Sequence, residues 1–273
     1  MDSIRVATLN IWNRFGPWDE RSRAIRAGLK QLAPDVIGLQ EVLRSTEGDR
    51  LDQAALLSEG LGYHVAWGLA SENHGFPVGN AVFSKWPITR TEVFPLPREG
   101  SDEKRSLVFA EIDAPFGKLP FFVTHLNWKL HHGYVRQVQT RFITDRIQEL
   151  APLTGFPPVL VGDFNAEPDS DEMRFLRGLT TLGGKSVYFA DAFAAASGLT
   201  GEAARGTTFA RRNPFAAQVH EPDRRIDYIY VRGPDDRYRG EPLSASVCFD
   251  EPNAAAGGVF PSDHFGVTAQ ISV

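Results

Sequence analysis

Short apolar runs recur along the chain and are separated by amphipathic or polar stretches. Six runs have the length and the β-branched or aromatic content of buried strands, and each ends at polar residues. They occupy positions 36–39, 81–83, 107–109, 121–123, 159–161 and 229–231. The pattern therefore predicts a protein with a large content of buried β-strand.

Two segments show helical periodicity instead. Ile25, Leu29 and Leu32 share one helical face, and apolar residues repeat at spacings of three to five across positions 135–150. A proline follows each segment as a stop signal: Pro34 and Pro152. Because strands outnumber helices and several are consecutive, the pattern favours an α/β sandwich of two packed mixed sheets flanked by helices over a single doubly wound sheet.

The chain shows no linker and no repeat of the length found in solenoids. Its 273 residues suit a single large two-sheet domain. We therefore expect residues 1–273 to form one domain. Positions 200–225 are rich in Gly, Ala, Arg and Pro and are interpreted as a long surface loop, of the kind that often shapes access to a site.

Composition narrows the class of protein. Hydrophobic residues make up 42% and charged residues 23%, which is close to the averages of soluble globular proteins. The chain begins with a strand-like segment, contains no apolar run of membrane-spanning length, and has one cysteine, Cys248. We therefore expect a cytoplasmic protein. The net charge of −5 argues against tight, sequence-independent binding of long nucleic acid, which relies on Lys and Arg.

Polar residues of catalytic type close four of the predicted strands. Asn10 and Glu41 end the first two, and alternate residues follow two others: His125 with Asn127, and Asp163 with Asn165. Residues two apart in an extended chain point to the same side, and sites in layered α/β proteins gather at the carboxyl ends of strands. These residues are expected to share a site, although an aspartate after a strand can also form a simple Asx turn.

Two more candidates lie near the carboxyl terminus. Asp227 begins the apolar run at 227–231, and Asp263 and His264 are adjacent. Neighbours within a strand face opposite ways, so Asp263 and His264 can serve one site only if they lie in a turn. Pro261 and Ser262 favour that turn.

The sequence resembles the endonuclease/exonuclease/phosphatase superfamily over nearly its whole length. The matching pieces, in the expected order, are TLNIW, PDVIGLQEV, GNAVFSKWPI, THLNW, VGDFNAEP, RIDYIYV and SDHFGV. The resemblance implies a deoxyribonuclease-like fold, a four-layer sandwich of two packed sheets between helices. It also implies metal-dependent cleavage of phosphate esters, without specifying the substrate.

The resemblance assigns a metal group and a base. Glu41, Asn10 and Asp263 are expected to bind Mg²⁺ or Mn²⁺, since hard oxygen ligands suit these ions. His264 is expected to act as the general base that activates water, and Asp227 to hold its tautomer.

The remaining site residues are expected to act on the phosphate. Asp163 and Asn165 would position the nucleophile and the phosphoryl oxygens, and His125 would contact the phosphate and assist the leaving group. Asn127 and Arg105 are expected to contact the substrate phosphate. Abasic-site endonucleases have tyrosine where this chain has His125, which argues against that branch of the superfamily.

The expected reaction is hydrolysis of a phosphodiester by a histidine-activated water. Two alternatives stay open: a phosphomonoesterase acting on a small phosphorylated substrate, and a non-catalytic phosphate-binding domain of the same fold. The expected partner is a phosphate ester, whether nucleic acid, lipid or small molecule, bound by a monomeric protein. The acidic balance favours a small or short substrate.

Overall fold

The computed structural model describes residues 3–45, 51–73, 76–151, 153–233, 235 and 237–273. Within these ranges the strands are β1 (Ser3–Asn10), β2 (Val36–Leu43), β3 (His64–Asn73), β4 (Phe76–Ser84), β5 (Ile88–Pro95), β6 (Ser106–Ala114), β7 (Gly117–His125), β8 (Val159–Asp163), β9 (Phe189–Asp191), β10 (Asp227–Arg232), β11 (Pro242–Cys248) and β12 (Gly266–Ser272). The helices are α1 (Trp18–Leu32), α2 (Gln53–Ser58), α3 (Gly133–Leu150), α4 (Asp171–Leu176) and α5 (Ala192–Ala196). All six predicted strand runs and both helical segments lie inside these elements; Pro152 is outside the described residues.

The strands form two mixed six-stranded sheets. The first has the order β11-β12-β1-β2-β4-β3 and the second β5-β6-β7-β8-β10-β9. Each sheet has one parallel pair near its centre, β1 with β2 and β7 with β8, and its other pairs are antiparallel. The predicted sandwich of two packed mixed sheets is confirmed.

The alternation of side chains along each strand builds four layers. Along β1, Val6 packs between the two sheets, whereas Ala7 and Leu9 pack beneath α1. In the second sheet, Val161 faces the first sheet and Leu160 packs against α3 and α4. Successive side chains of a strand point to opposite faces of the sheet. The final residues Asn10 and Asp163 are on the same face as Val6 and Val161, so they carry polar groups into the intersheet space. The shared intersheet core supports the proposal that residues 1–273 form one domain.

Helix α1 follows from its local sequence. Asp19 and Glu20 lie in its first turn, where acidic side chains favour the helix dipole. The helix ends at Ala33, which adopts the left-handed conformation and donates to the Leu29 carbonyl, and Pro34 cannot continue the helix.

A glycine lets the two sheets approach closely beside the site. A Cβ atom at Gly38 of β2 would lie 2.4 Å from a methyl group of Val161 and 2.7 Å from one of Val123. No real contact is so short, so glycine is required where β2 crosses β7 and β8. The ends of these strands are thereby brought within side-chain reach of one another.

The segment at 200–225 contains two short 3₁₀ helices and otherwise irregular backbone, as expected for a loop. Its middle is not a surface segment, because Thr208, Ala210 and Asn213 are buried. None of the helices in the described part of the chain has the length and apolarity needed to span a bilayer.

Candidate metal and phosphate site

Strand ends bring polar side chains to one end of the intersheet space. Asn10 is the last residue of β1, His125 of β7 and Asp163 of β8. Strand β10 runs antiparallel to β8, so its first residue, Asp227, pairs directly with Asp163, while His125 pairs with Asp163 from the other side. His125, Asp163 and Asp227 therefore form a row across three adjacent strands.

Asp163 is the centre of the hydrogen-bond network. Its Oδ2 atom accepts a hydrogen bond from Asn10 Nδ2 at 3.0 Å, and it lies 3.3 Å from His125 Nε2 and 3.7 Å from His264 Nε2. Its Oδ1 atom accepts from the Asn165 backbone N–H at 2.9 Å. One oxygen thus forms the Asx turn expected of a structural aspartate, and the other joins three side chains of the site.

His264 is held by Asp227. His264 Nδ1 lies 2.9 Å from Asp227 Oδ2, and Asp227 is fully buried. Burial alone would lower the pKa of His264, but the charges of Asp227, Asp163 and Asp263 outweigh it and raise that pKa well above its ordinary value. Burial, followed by repulsion from Asp227, raises the pKa of Asp163. The surrounding carboxylates therefore favour the protonated form of the His264 ring.

Hydrogen bonds to the loop at 200–225 hold the start of β10 in place. The backbone N–H groups of Ile226 and Asp227 donate to Thr208 Oγ1 at 3.1 and 3.2 Å. Arg225 forms an ion pair with Asp191 at 2.9 Å rather than with Asp227. The Asp227 carboxylate is left to orient the histidine.

His125 is a neutral hydrogen-bond donor. Its Nδ1 atom lies 3.0 Å from Arg105 Nη1, and because a guanidinium only donates, Nδ1 must be the acceptor. The ring proton is then on Nε2, which faces Asp163. Burial, then the positive charges of Arg105 and His264, lower the pKa of His125 well below its ordinary value. Arg105 is also ion-paired with Glu103.

A β-bulge turns Glu41 toward the site. The pairing of β2 with β4 shifts register between Leu39 and Val42, and Glu41 adopts φ +59°, which is uncommon for a non-glycine residue. Its Oε1 atom accepts a hydrogen bond from Asn10 Nδ2 at 3.2 Å. Such strain persists when surrounding structure enforces it and is frequent at functional sites.

Asp263 lies in the bend that leads into β12, as the sequence required. Burial raises the pKa of Asp263 to about 7; the charge of His264 lowers it, and the charge of Glu41 raises it further. The carboxylates of Asp263 and Glu41 therefore repel each other.

The donor set fits a divalent cation. Glu41 and Asp263 supply carboxylate oxygens that repel each other, a repulsion that a cation would relieve. A second group is also close enough to hold an ion: one ligand atom each from Asp163, Asp227 and His264 lies within 4.8 Å of the others. Within the described residues, Asp227 Oδ1 is buried without a hydrogen-bond partner. Oxygen-rich groups of this kind suit Mg²⁺ and Mn²⁺.

The sequence profile of the endonuclease/exonuclease/phosphatase family matches residues 7–264. The chain belongs to this family. It is accordingly a metal-dependent phosphoesterase, and the fold expected from the sequence agrees with that assignment. Among curated proteins, none matches the chain by sequence.

Solved structures of family members share the fold. An endonuclease/exonuclease/phosphatase from Beutenbergia cavernae is 25% identical, with a TM-score of 0.74 over 100% of this chain and 72% of that one. Truncated TDP2 from Caenorhabditis elegans is 20% identical, with a TM-score of 0.75 over 99% and 98%. The human Nocturnin catalytic domain, solved with a bound sulfate anion, is 20% identical, with a TM-score of 0.72 over 100% and 96%.

Two asparagines predicted from the sequence have mainly structural contacts in this family member. Asn127 is fully buried; its Nδ2 donates to Ser101 Oγ at 2.9 Å and its Oδ1 accepts from the Lys129 backbone N–H at 3.1 Å. Asn165 Nδ2 donates to the Leu126 carbonyl at 3.2 Å. No hydrogen bond joins the Asn127 side chain to the Asp163 network among the described residues, so its role in phosphate binding stays a prediction.

Asn10 presents its amide N–H groups, not its oxygen, to the site. Nδ2 donates to Glu41 and Asp163, whereas Oδ1 accepts from the Trp12 backbone N–H at 2.9 Å. In this orientation Asn10 orders the two carboxylates, and metal ligation by Asn10 itself stays a prediction.

Several supporting residues were not found from the sequence. Ser262, expected only to shape a turn, donates from Oγ to the Asn10 carbonyl at 2.6 Å. Asn213 of the long loop donates to the Ser262 carbonyl at 2.7 Å, and the Phe209 ring lies 5.0 Å from the His264 ring. The loop thus forms one wall of the candidate site. Only its Gly, Ala and Arg content was visible in the sequence, and that content conceals the buried Thr and Asn.

Proposed function

We propose that the chain hydrolyses a phosphodiester by attack of a histidine-activated water, assisted by Mg²⁺ or Mn²⁺. One observation carries the proposal: Asp163 Oδ2 lies within 3.7 Å of side chains from three other segments, Asn10, His125 and His264. Residues separated by more than 250 positions thereby share one buried, charged centre. A purely structural role would not gather so many ionisable groups, because burying them costs free energy.

Glu41 and Asp263 would hold the cation, with Asn10 ordering Glu41. When bound, the cation supplies positive charge that offsets the carboxylates and stabilises charge developing on the phosphate. The proposal of Mg²⁺ or Mn²⁺ rests on the oxygen-rich donors Glu41 and Asp263, whose repulsion a cation relieves.

His264 would accept the proton of the attacking water at Nε2. Its other ring nitrogen is held 2.9 Å from Asp227, which fixes the ring orientation and stabilises the imidazolium that forms. A cation bound by Asp263 and Glu41 would offset part of the negative charge that raises the pKa of His264. The pKa of His264 would then fall toward the range that suits a general base.

His125 and Arg105 would stabilise the phosphoryl oxygens. Since Arg105 fixes the His125 proton on Nε2, His125 donates a hydrogen bond without needing to be charged. Donors that are fixed before the reaction begins lower the barrier most effectively. His125 thus acts by donating a hydrogen bond to an oxygen, and Asp163 and Asn165 order the surrounding groups.

The loop at 200–225 favours a small or short substrate. Its contacts with Ser262 and His264 hold one wall of the site in place, and the net charge of −5 gives little general attraction for long nucleic acid. We further propose a reducing, cytoplasmic compartment, in keeping with the lone cysteine Cys248, and we keep the monomer as a proposal.

The proposal is tested by hydrolysis of bis(p-nitrophenyl) phosphate, a diester, and of p-nitrophenyl phosphate, a monoester, with Mg²⁺ or Mn²⁺. We expect faster turnover of the diester and a loss of at least about a hundredfold in His264→Ala and Asp163→Ala. His131→Ala, which changes an exposed histidine, is the matched control. Full activity of both site variants would refute the assignment, preferred turnover of the monoester would favour the phosphatase alternative, and inactivity with every metal would favour a binding domain.

A further inference from the structure

Arg21 is a fully buried arginine in the middle of α1. Its side chain has 0% exposure, and it makes no ion pair with any residue in the described part of the chain. It precedes Ile25 by four positions and Leu29 by eight, so it lies on the apolar face of the helix. A buried charge without a carboxylate partner is costly, and its presence calls for an explanation.

All five N–H donors of Arg21 are satisfied by backbone carbonyls. The acceptors are Phe15 O at 2.9 Å from Nε, Ile11 O at 2.7 Å and Pro261 O at 3.1 Å from Nη1, and Trp12 O at 3.2 Å and Asn13 O at 3.0 Å from Nη2. The guanidinium also lies over the Trp12 ring, 4.8 Å from its centroid. An arginine has five such donors in a planar fork and a lysine has three, so this arrangement requires arginine.

The five carbonyls belong to two segments that border the site. Four belong to residues within five positions after Asn10, and two of these residues, Trp12 and Asn13, adopt φ values of +56° and +46°. The fifth belongs to Pro261, two residues before Asp263. We propose that Arg21 is a positioning residue of the active site, which fixes Asn10 and Asp263 relative to Glu41. This inference rests on the proposed function, because it concerns the same metal-binding carboxylates.

Two other buried side chains join the same segments. Ser262 Oγ donates to the Asn10 carbonyl at 2.6 Å. Gln53 Nε2 donates to the Asn13 carbonyl at 2.9 Å, and Gln53 Oε1 accepts from the Leu43 backbone N–H at 2.7 Å. Leu43 ends β2, the strand that carries Glu41. The carbonyls bound by Arg21 are therefore connected to every segment that supplies a proposed metal residue.

The charge of Arg21 also acts on these carboxylates. Burial lowers the pKa of Arg21 to about 10, while the charges of Asp263 and Glu41 act in the opposite direction. Arg21 thus remains a cation at neutral pH, and it attracts both carboxylates without occupying their oxygens. Those oxygens stay available to a metal ion. The half of the site made by Asp163, Asp227 and His125 is held by strand pairing and does not need this contact.

The test compares Arg21→Lys with Arg23→Lys, a control on the exposed side of the same helix. Mn²⁺ is titrated while two quantities are followed: hydrolysis of bis(p-nitrophenyl) phosphate and the shift of the thermal unfolding midpoint. We expect Arg21→Lys to raise the half-saturating Mn²⁺ concentration about 10- to 100-fold in both, the usual effect of losing a residue that supports metal ligands. The KM for the diester at saturating Mn²⁺ should change less than about threefold, and Arg23→Lys should match the unsubstituted protein.

A half-saturating Mn²⁺ concentration in Arg21→Lys equal to that of the unsubstituted protein would overturn the proposal and leave Arg21 with a role in folding alone. If Arg21→Lys does not unfold cooperatively, Gln53→Ala decides the question, because Gln53 joins the Asn13 carbonyl to Leu43 of β2 and makes no hydrogen bond to a proposed metal residue. A raised Mn²⁺ requirement in Gln53→Ala supports the positioning role, and an unchanged one overturns it. Failure of the unsubstituted protein to hydrolyse the diester, with its Mn²⁺-dependent thermal shift intact, would refute the proposed function and leave the Arg21 comparison valid.

Discussion

Replacing Asp163 by asparagine should separate activity from stability. The side chain keeps its size and one acceptor oxygen but loses its charge. Asp163 joins Asn10, His125 and His264 through a single oxygen, so one substitution weakens all three contacts. We expect the variant to be nearly inactive and, without metal, at least as stable as the unsubstituted protein.

The loss of activity follows from the position of the charge. A carboxylate that organises a general base and its neighbours contributes on the order of 10²- to 10⁴-fold in rate. Each tenfold loss corresponds to about 1.4 kcal/mol of transition-state stabilisation. Asp163→Asn should therefore raise the barrier by roughly 3–5 kcal/mol.

The effect on stability has the opposite sign. Burial and the charge of Asp227 raise the pKa of Asp163, which means that the folded protein disfavours the ionised form. At neutral pH this charge opposes folding, and an uncharged isostere removes the opposition. Asp163 and Asp227 are directly opposite each other on antiparallel strands, where like charges destabilise by about 0.2–1 kcal/mol. Removing that repulsion should raise the unfolding midpoint by about 1–3 °C.

The assay pairs diester hydrolysis with thermal unfolding in EDTA. Asp113→Asn is the control, because Asp113 is an exposed strand residue whose ion pair with Lys118 lies at the far end of β6 and β7. It should change neither quantity. A drop of more than about 1 kcal/mol in the free energy of unfolding of Asp163→Asn, beyond ordinary surface effects, would show that the carboxylate's hydrogen bonds outweigh its repulsion. Activity within tenfold of the unsubstituted protein would refute its central role.

Two further predictions concern the metal and the histidine. Glu41→Gln should raise the Mg²⁺ concentration for half-maximal activity by at least about tenfold, because a charged ligand is lost. The control Glu149→Gln, at an exposed position, should leave that concentration unchanged. Equal Mg²⁺ requirements in the two variants would remove Glu41 from the metal site. His264→Gln in EDTA should lose more stability at pH 6 than at pH 9. The raised pKa of His264 gives a stabilisation that is full below its unfolded pKa of about 6.5 and is lost as pH rises through the folded value. An equal loss of stability at both pH values would contradict the shift.

The sequence was sufficient for the architecture because the relevant signals are local. Apolar runs identified six of the strands, the periodicity of Ile25, Leu29 and Leu32 identified α1, and consecutive strands favoured two sheets over one. Convergence of Asn10 and Asp163 followed from a general rule, that sites in layered α/β proteins gather at the carboxyl ends of strands.

What the sequence could not supply depends on contacts between distant segments. The bulge that turns Glu41 inward arises from pairing with β4, and nothing in PDVIGLQEV marks it. Arg21 was detectable in principle, because it lies on the same helical face as Ile25 and Leu29, whereas charged residues of an amphipathic helix normally lie on the opposite face. The roles of Thr208 and Asn213 were not, because hydroxyl and amide side chains in a long loop are ordinary there.

The electrostatics of the site explain why these supports are needed. Burial, together with the charge of Glu41, raises the pKa of Asp263 to about 7, far above the ordinary value of an aspartate. Ionisation of Asp263 therefore destabilises the fold as pH rises through the interval between these two values. Two repelling carboxylates would otherwise move apart, since strand pairing restrains neither Asp263, which lies in a bend, nor Glu41, which lies in a bulge. The buried charge of Arg21 and its five backbone hydrogen bonds oppose that movement. A bound cation would then relieve the repulsion in the folded state alone, and any ligand that binds only the folded state stabilises it. Metal binding and folding are therefore coupled through the same few carboxylates.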